Sequence, residues 1–244
     1  MDLIIDVGNS FAKVAVLEYD TVVSYEKYQE INTSIIFEIK NKFDIKRAII
    51  SSVRNNEAEI SAIFKKFNIS FYWLNHQMKF PFKINYTTPQ TLGLDRLAAV
   101  VGAMVKFPNN NLLVVDMGTC VTFDFVDENS VYHGGSIAPG FEMRFKALHH
   151  FTQKLPQVKY ENQSVRLIGD STENSILSGA YNGFKYEILG MISAYEQQYT
   201  GLKIVLTGGD YKLFDLEVKN RIFADDFLVL RGLQQILILN DKKD

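Results

Sequence analysis

The sequence predicts an α/β fold built from two similar halves, and three observations carry that prediction. Two segments read almost alike 110 positions apart, Ile4-Ile5-Asp6-Val7-Gly8-Asn9-Ser10 and Val114-Val115-Asp116-Met117-Gly118-Thr119-Cys120. Each is an apolar run, then Asp-x-Gly with a small polar residue, then alternating apolar positions: Ala12, Val14 and Val16 in one copy, Val121, Phe123 and Phe125 in the other. After the first copy, three strands are followed by alternating helical and strand-like periodicities, and the second half repeats the opening pattern and then departs from it. A buried strand, a tight turn and a second strand is the simplest account of each segment. The repetition indicates a duplicated architecture, and strands followed by alternating helices and strands describe layered α/β packing.

In chain order, Thr21–Tyr28 reads as a third strand, antiparallel to the second. Asn32 or Thr33 caps a helix over Ile35, Ile36, Ile39 and Phe43. Arg47–Val53 reads as a buried strand ending in Ser51-Ser52. An amphipathic helix follows over Ala58–Phe67, with Ile60, Ile63, Phe64 and Phe67 on one stripe, and then a strand over Ile69–Leu74. Phe80 to Pro89 is a connector. A helix starting near Thr91 packs through Leu94, Leu97, Ala98 and Val101, with Asp95 and Arg96 projecting elsewhere. Phe107-Pro108-Asn109-Asn110-Asn111 ends that helix, which sets a boundary between halves 1–110 and 111–244. In the second half, Gly134 to Gly140 is dense in chain breakers and feeds a helix over Phe141–Phe151. Gly169–Asn174 precedes a long helical stretch that runs to about Tyr199. Leu202–Leu206 is a strand entering the Gly-rich turn Thr207-Gly208-Gly209-Asp210, and a last helix over Gly232–Leu239 precedes a charged tail.

The chemistry of the repeated loop follows from its parts. Glycine allows close backbone approach to a ligand, and successive turn amides form an anion-binding nest. Ser10 and Thr119 add hydroxyl donors. An Asp at the strand end suits hydrated Mg²⁺, which prefers carboxylate oxygen and retained water. Asp95 in a helix first turn is held as carboxylate by the helix dipole, and Arg96 can pair bidentately with a substrate carboxylate. Lys13, three positions past Ser10, is within reach of a phosphate or is a solvated strand lysine. His149-His150 are adjacent on a helix, so they diverge by about 100° and do not converge on a metal.

Composition narrows the classes. A chain of 244 residues with 47% hydrophobic residues has ample material for a core. A net charge of −2 and a pI near 6.1 give no electrostatic grip on nucleic acid or acidic lipid. The single cysteine, Cys120, excludes an internal disulfide and reads as a small buried residue. No run approaches the roughly 18 apolar residues of a membrane span, so a cytoplasmic protein is expected.

Taken together, Asp6-x-Gly8-Asn9-Ser10, Asp116-x-Gly118-Thr119 and Thr207-Gly208-Gly209-Asp210 resemble the two phosphate motifs and the adenosine motif of the acetate/sugar kinase and actin superfamily. Three further segments narrow the match: Gly93-Leu94-Asp95-Arg96, Gly134-Gly135-Ser136-Ile137-Ala138-Pro139-Gly140, and Leu148 through Leu155-Pro156. In this order, from Asp2 to about Gly232, they resemble a type III pantothenate kinase. The resemblance implies two ribonuclease H-like, actin-like domains with mixed sheets and flanking helices. It also implies ATP-dependent phosphorylation of pantothenate in coenzyme A synthesis. ATP contacts would fall at Asp6, Val7, Gly8, Asn9, Ser10, Phe11, Ala12, Lys13 and Thr119, with Mg²⁺ at Asp6 through water. A monovalent cation, K⁺ or NH₄⁺, would sit at Asp116. Pantothenate contacts would come from Tyr86, Gly93, Leu94, Asp95, Arg96 and Thr172, with Asp95 as the catalytic carboxylate. A homodimer is implied; nucleic acid and membrane are not. Two competing functions remain in view, an actin-like regulatory ATPase and a kinase of another small alcohol, because fold alone does not choose the acceptor.

Overall fold

The structure, a computed structural model, describes residues 1–214 and 222–241. The chain divides into two compact units: Met1–Lys83 with Thr87–Lys106 and Phe227–Asp244, and Ile84–Tyr86 with Phe107–Asp226.

In the first unit, β1 (Asp2–Val7), β2 (Ala12–Glu18) and β3 (Thr21–Tyr28) form an antiparallel meander. β4 (Arg47–Ser52) then pairs parallel to β1, and β5 (Ser70–Trp73) parallel to β4, giving the order β3-β2-β1-β4-β5. β1 is central and all six of its residues are buried, which is why it reads as a continuous apolar run rather than an alternating one. One sheet face packs on α1 (Thr33–Lys42) and α2 (Glu57–Lys66), with Leu3, Ile5, Ile36, Ile50, Ile60 and Phe64 in the core between them. The Asn32 side chain accepts the Ile35 amide and starts α1.

The same unit carries α3 (Leu94–Lys106) and, from the far end of the chain, α6 (Leu228–Asn240), which packs against α3, β1 and β4. The close crossing requires glycine: a Cβ at Gly232 would lie 1.7 Å from the Ala98 carbonyl oxygen. This corrects the boundary expected between residues 110 and 111. The cut falls at Phe107, and the closing helix belongs to the first unit because its apolar face is buried there.

The second unit repeats the scheme. β7 (Leu112–Met117), β8 (Cys120–Val126) and β9 (Val131–Pro139) form an antiparallel meander. β10 (Lys203–Gly208) pairs parallel to β7, and β11 (Ile222–Ala224) parallel to β10. The order is β11-β10-β7-β8-β9-β6, with the two-residue β6 (Lys83–Ile84) added at the edge. α4 (Phe141–His150) and the 27-residue α5 (Thr172–Gln198) connect β9 to β10. Their core centres on Phe141, Phe145, Phe184 and Phe214; Phe141 meets Phe145 and Phe214 edge-on at 5.1 Å, the arrangement favoured by ring quadrupoles.

Three local expectations change. Gly134 to Pro139 continues β9 instead of forming a loop, its ladder with β8 absorbing the glycines. The helix expected near Thr91 begins at Leu94, after a single 3₁₀ turn over Pro89–Thr91. Its buried surface is broader than a stripe: Arg96 through Ala103 are all buried, so Arg96 is in the packed interface and Leu94 is only half-buried. Residues 242–244 of the charged tail lie outside the described residues.

Candidate active site

The expected site residues fall in two groups, one per unit. In the first unit the Asp6–Lys13 loop closes the β1–β2 hairpin at the edge where β1 and β4 end, the edge at which open α/β sheets take ligands. The Gly8 amide donates to the Phe11 carbonyl at 3.0 Å, making the turn. Gly8 is not required by this geometry. Its φ is not left-handed, and an added Cβ would meet nothing nearer than the Phe11 oxygen at 3.5 Å, an ordinary contact. The space at Gly8 is therefore open to a ligand rather than filled by the fold.

Asp6 lies at the end of β1 across from Lys13 on β2 and beside Ser51 on β4. Its carboxylate is buried, 3.6 Å from Lys13 Nζ. Burial pushes the Asp6 pKa above its ordinary value; Lys13 opposes the shift and the negative charge of Asp95 adds to it. A buried carboxylate that feels a second carboxylate is a position that a cation relieves. Mg²⁺ uses one or two carboxylates together with phosphate and water, so Asp6 fits such an ion, held through water. Lys13, 40% exposed at its side chain, is neither simply solvated nor aimed at open space; it is the counter-charge to Asp6.

Asp95 is exposed in the first turn of α3, and its Oδ1 accepts the Arg96 amide at 2.9 Å. Gly93 gives that carboxylate its place: an added Cβ would stand 2.6 Å from Asp95 Oδ1. Arg96 is 7% exposed, with its aliphatic stem folded back over Gly93. Phosphate loop, Mg²⁺ candidate and acid–base candidate thus share one unit, and the electrostatic influence of Asp95 on Asp6 puts them within range of each other.

In the second unit the loop Gly118-Thr119 closes the β7–β8 hairpin, with the Gly118 amide donating to Cys120 O at 3.0 Å. Gly118 repeats the pattern of Gly8, since a Cβ there would find only ordinary contacts, the nearest at 3.8 Å. Asp116 is half-buried, across from Thr122 on β8 and Thr207 on β10. Gly208, by contrast, is demanded by the backbone, with φ +95° and a hypothetical Cβ 2.2 Å from Met117 O and 2.6 Å from Asp116 Oδ1. The Thr207–Asp210 turn wraps the end of β7, Asp210 N donating to Met117 O at 3.0 Å. Burial, with Glu142 nearby, raises the Asp210 pKa. Thr119 is exposed, and so is Cys120, which corrects the expectation of a small buried residue: the side chain leaves the hairpin on the solvent side.

Tyr86 is half-buried, its ring centroid 6.4 Å from that of Tyr132. Thr172 is exposed as the first residue of α5, behind the Ser171 cap, whose side chain accepts the Asn174 amide. His149 accounts for itself by a 2.8 Å contact to Leu155 O. Among the described residues no group of three or more His, Cys, Asp or Glu is arranged for metal.

Sequence reasoning missed two elements. Arg54, just past β4, hydrogen-bonds the carbonyls of Gly8 and Asn9 at 2.8 and 2.9 Å; its place after the strand neighbouring β1 was the available signal. Gly140 presses on the second loop, where an added Cβ would sit 2.2 Å from Gly118 O and 2.4 Å from Thr119 O.

Similarity to known proteins bears on the family. A family model described as type III pantothenate kinase matches residues 2–194. A Phocaeicola vulgatus protein of that name is 43% identical over 242 residues, covering 99% of this chain and 100% of its own. Among solved structures, a Campylobacter jejuni protein described as a Baf family transcriptional activator aligns with a TM-score of 0.63 at 24% identity, covering 97% of each chain. An Arthrobacter inorganic polyphosphate/ATP-glucomannokinase aligns with a TM-score of 0.51 at 11% identity over 98% of this chain and 99% of its own. These two likenesses speak for the fold alone. The family match and the near-complete sequence relationship go further: the chain belongs to the type III pantothenate kinase family.

Proposed function

We propose that this kinase transfers the γ-phosphate of ATP to the primary hydroxyl of pantothenate, giving 4′-phosphopantothenate, the first step of coenzyme A synthesis. The observation that carries the acceptor side is the Asp95 carboxylate, fixed by the Arg96 amide at the start of α3 in the same unit as the first phosphate loop. Phosphoryl transfer requires an oriented hydroxyl, neutralised phosphate charge and in-line geometry more than a strong base. Asp95 orients the alcohol and takes its proton late. The loop Asp6–Lys13 receives the phosphates, with Thr119 as a second hydroxyl contact. Mg²⁺ held through water by Asp6 and a monovalent cation at Asp116 supply neutralising charge when bound. Tyr86, Gly93, Leu94, Arg96 and Thr172 form the pantothenate contacts, Arg96 facing the carboxylate. The enzyme acts as a homodimer in the cytoplasm; no described helix is long and apolar enough to cross a membrane.

The test is transfer from ATP to a panel of small alcohols, with and without K⁺, read by mass spectrometry of the products. Phosphorylated pantothenate with K⁺ dependence is expected. Transfer to a sugar or another alcohol in preference to pantothenate would overturn the acceptor assignment, and ATP hydrolysis with no acceptor phosphorylated would favour a regulatory ATPase.

A further inference from the structure

We infer that Arg54 is a positioning residue for nucleotide: it holds the first phosphate loop with two consecutive amides aimed outward at the phosphates. The guanidinium spans three carbonyls, Nε to Gly8 O at 2.8 Å, Nη2 to Asn9 O at 2.9 Å and Nη1 to Gln29 O at 3.0 Å. The root of the side chain is itself fixed. The Arg54 amide donates to Ser52 Oγ at 3.0 Å, and Ser52 Oγ lies 2.9 Å from Asn56 Oδ1. No peptide bond in the described chain is cis.

The consequence is geometric. In a planar trans peptide the carbonyl and the following N–H point in opposite directions. Turning Gly8 O and Asn9 O toward Arg54 therefore turns the amides of Asn9 and Ser10 away from it, both to one side. Among the described residues these two amides make no hydrogen bond, whereas the Gly8 amide is used inside the turn. Two successive amides presented together with no internal acceptor are an anion-binding nest. The open space at Gly8 lies in the same loop. Arg54 also places a permanent positive charge behind that nest, on the side away from the ligand, where it favours phosphate without displacing it. A lysine offers one compact ammonium and does not reproduce the fork across Gly8 O, Asn9 O and Gln29 O.

Without Arg54 the two peptides are free to rotate, and the loop presents its amides for only part of the time. Apparent affinity falls by the competent fraction, so a loop competent about a tenth of the time binds nucleotide about tenfold more weakly.

This inference rests on the reading of the Asp6–Lys13 loop as a phosphate site, and its test needs no acceptor. Affinity for a fluorescent ADP analogue with Mg²⁺ is measured in the wild type, Arg54→Ala and Arg54→Lys, alongside the KM for ATP and for pantothenate. Arg54→Ala is expected to lose about tenfold in nucleotide affinity, with a matching rise in the KM for ATP and an unchanged KM for pantothenate. Arg54→Lys falls between, and guanidinium ion at low millimolar concentration restores part of the loss in Arg54→Ala. Unchanged nucleotide affinity in folded Arg54→Ala overturns the inference, as does a loss that neither guanidinium nor lysine recovers, since a merely structural arginine would behave that way. If Arg54→Ala does not fold, the decision passes to Arg54→Lys, which must raise the KM for ATP and leave that for pantothenate alone. A wild type that binds nucleotide yet leaves pantothenate untouched would refute the proposed acceptor while leaving the role of Arg54 standing.

Discussion

Gly93→Ala separates activity from stability more sharply than any change to a charged residue of the site. The added methyl would stand 2.6 Å from Asp95 Oδ1, whereas ordinary contact begins near 3.4 Å, so the carboxylate must retreat by about 0.8 Å. The obstacle is the tip of an exposed side chain, which can move, and Gly93 has no left-handed φ to strain. Retreat breaks or lengthens the 2.9 Å hydrogen bond from the Arg96 amide, a loss of about 0.5–1.5 kcal/mol. Replacing glycine by alanine at a compatible φ returns about 0.4–1 kcal/mol by narrowing the unfolded ensemble. Net stability should therefore change by less than about 1 kcal/mol, within a few degrees of Tm for a chain of this size. Catalysis is far less tolerant, because displacing a reacting group by about 1 Å costs roughly a hundredfold. The assay is kcat for pantothenate phosphorylation beside a thermal melt of the same sample. Wild-type turnover in Gly93→Ala would refute the placement of Asp95 at the reacting hydroxyl, and a collapse of Tm would refute the claim that only the side chain moves.

Four further outcomes are expected. Asp95→Asn keeps an acceptor for the Arg96 amide, so it should fold normally and lose at least about a hundredfold in turnover; near-normal turnover would remove Asp95 from the mechanism. The raised pKa of Asp6 means the folded state holds its proton more tightly than the unfolded state, so this group's contribution to stability falls as pH rises from the ordinary 3.8 through the folded value. Asp6→Asn should therefore gain Tm relative to wild type on going from acid to neutral pH while losing Mg²⁺-dependent activity, and a difference that shrinks with rising pH would contradict this. Asp116→Ala should abolish activation by K⁺, which identical K⁺ titrations of variant and parent would disprove. Arg96→Ala should chiefly raise the KM for pantothenate, and pantothenol, which lacks the carboxylate, should be a poor substrate for the wild type; equal kcat/KM for pantothenol and pantothenate would leave Arg96 a structural role.

Much of the architecture was legible because it is written in periodicity. β1 and β7 are nearly continuous apolar runs with almost every residue buried, and the Asn32 cap marks the start of α1. What failed is what tertiary packing decides. The helix at 228–240 has nothing in its own sequence that says which half it joins; the close approach of Gly232 to Ala98 O does. Gly134-Gly135 reads as a break, yet a Cβ at Gly135 would lie 1.6 Å from Phe123 O, so that glycine admits the neighbouring strand instead of ending one. Helical spacing puts Arg96 off the packed stripe, yet it is buried, only 7% exposed. The two glycines of the repeated loops are not demanded by the backbone, since an added Cβ at either would meet only ordinary contacts, so the fold itself gives no reason for glycine there.

Duplication explains why the two loops look alike, and the registers explain why they should act differently. Asp6 faces Lys13 across the hairpin, and Asp116 in the equivalent place faces Thr122. On the parallel side, Asp6 neighbours Ser51 and Asp116 neighbours Thr207. A lysine beside Asp6 offsets part of its charge and resists a tightly bound, fully dehydrated cation, which suits Mg²⁺ held at a distance through water. Asp116 has the hydroxyl residues Thr122 and Thr207 as its register neighbours, and the proposed monovalent ion would be held on oxygen. The loops are also braced differently. Carbonyls of the first are drawn back by the Arg54 guanidinium, which adds positive charge behind the loop. Carbonyls of the second are packed against Gly140, which adds no charge. From nearly identical sequences, one differing neighbour on each flanking strand and two different braces give the two loops different surroundings, which is the physical basis for proposing polyphosphate with Mg²⁺ at the first and a single alkali cation at the second.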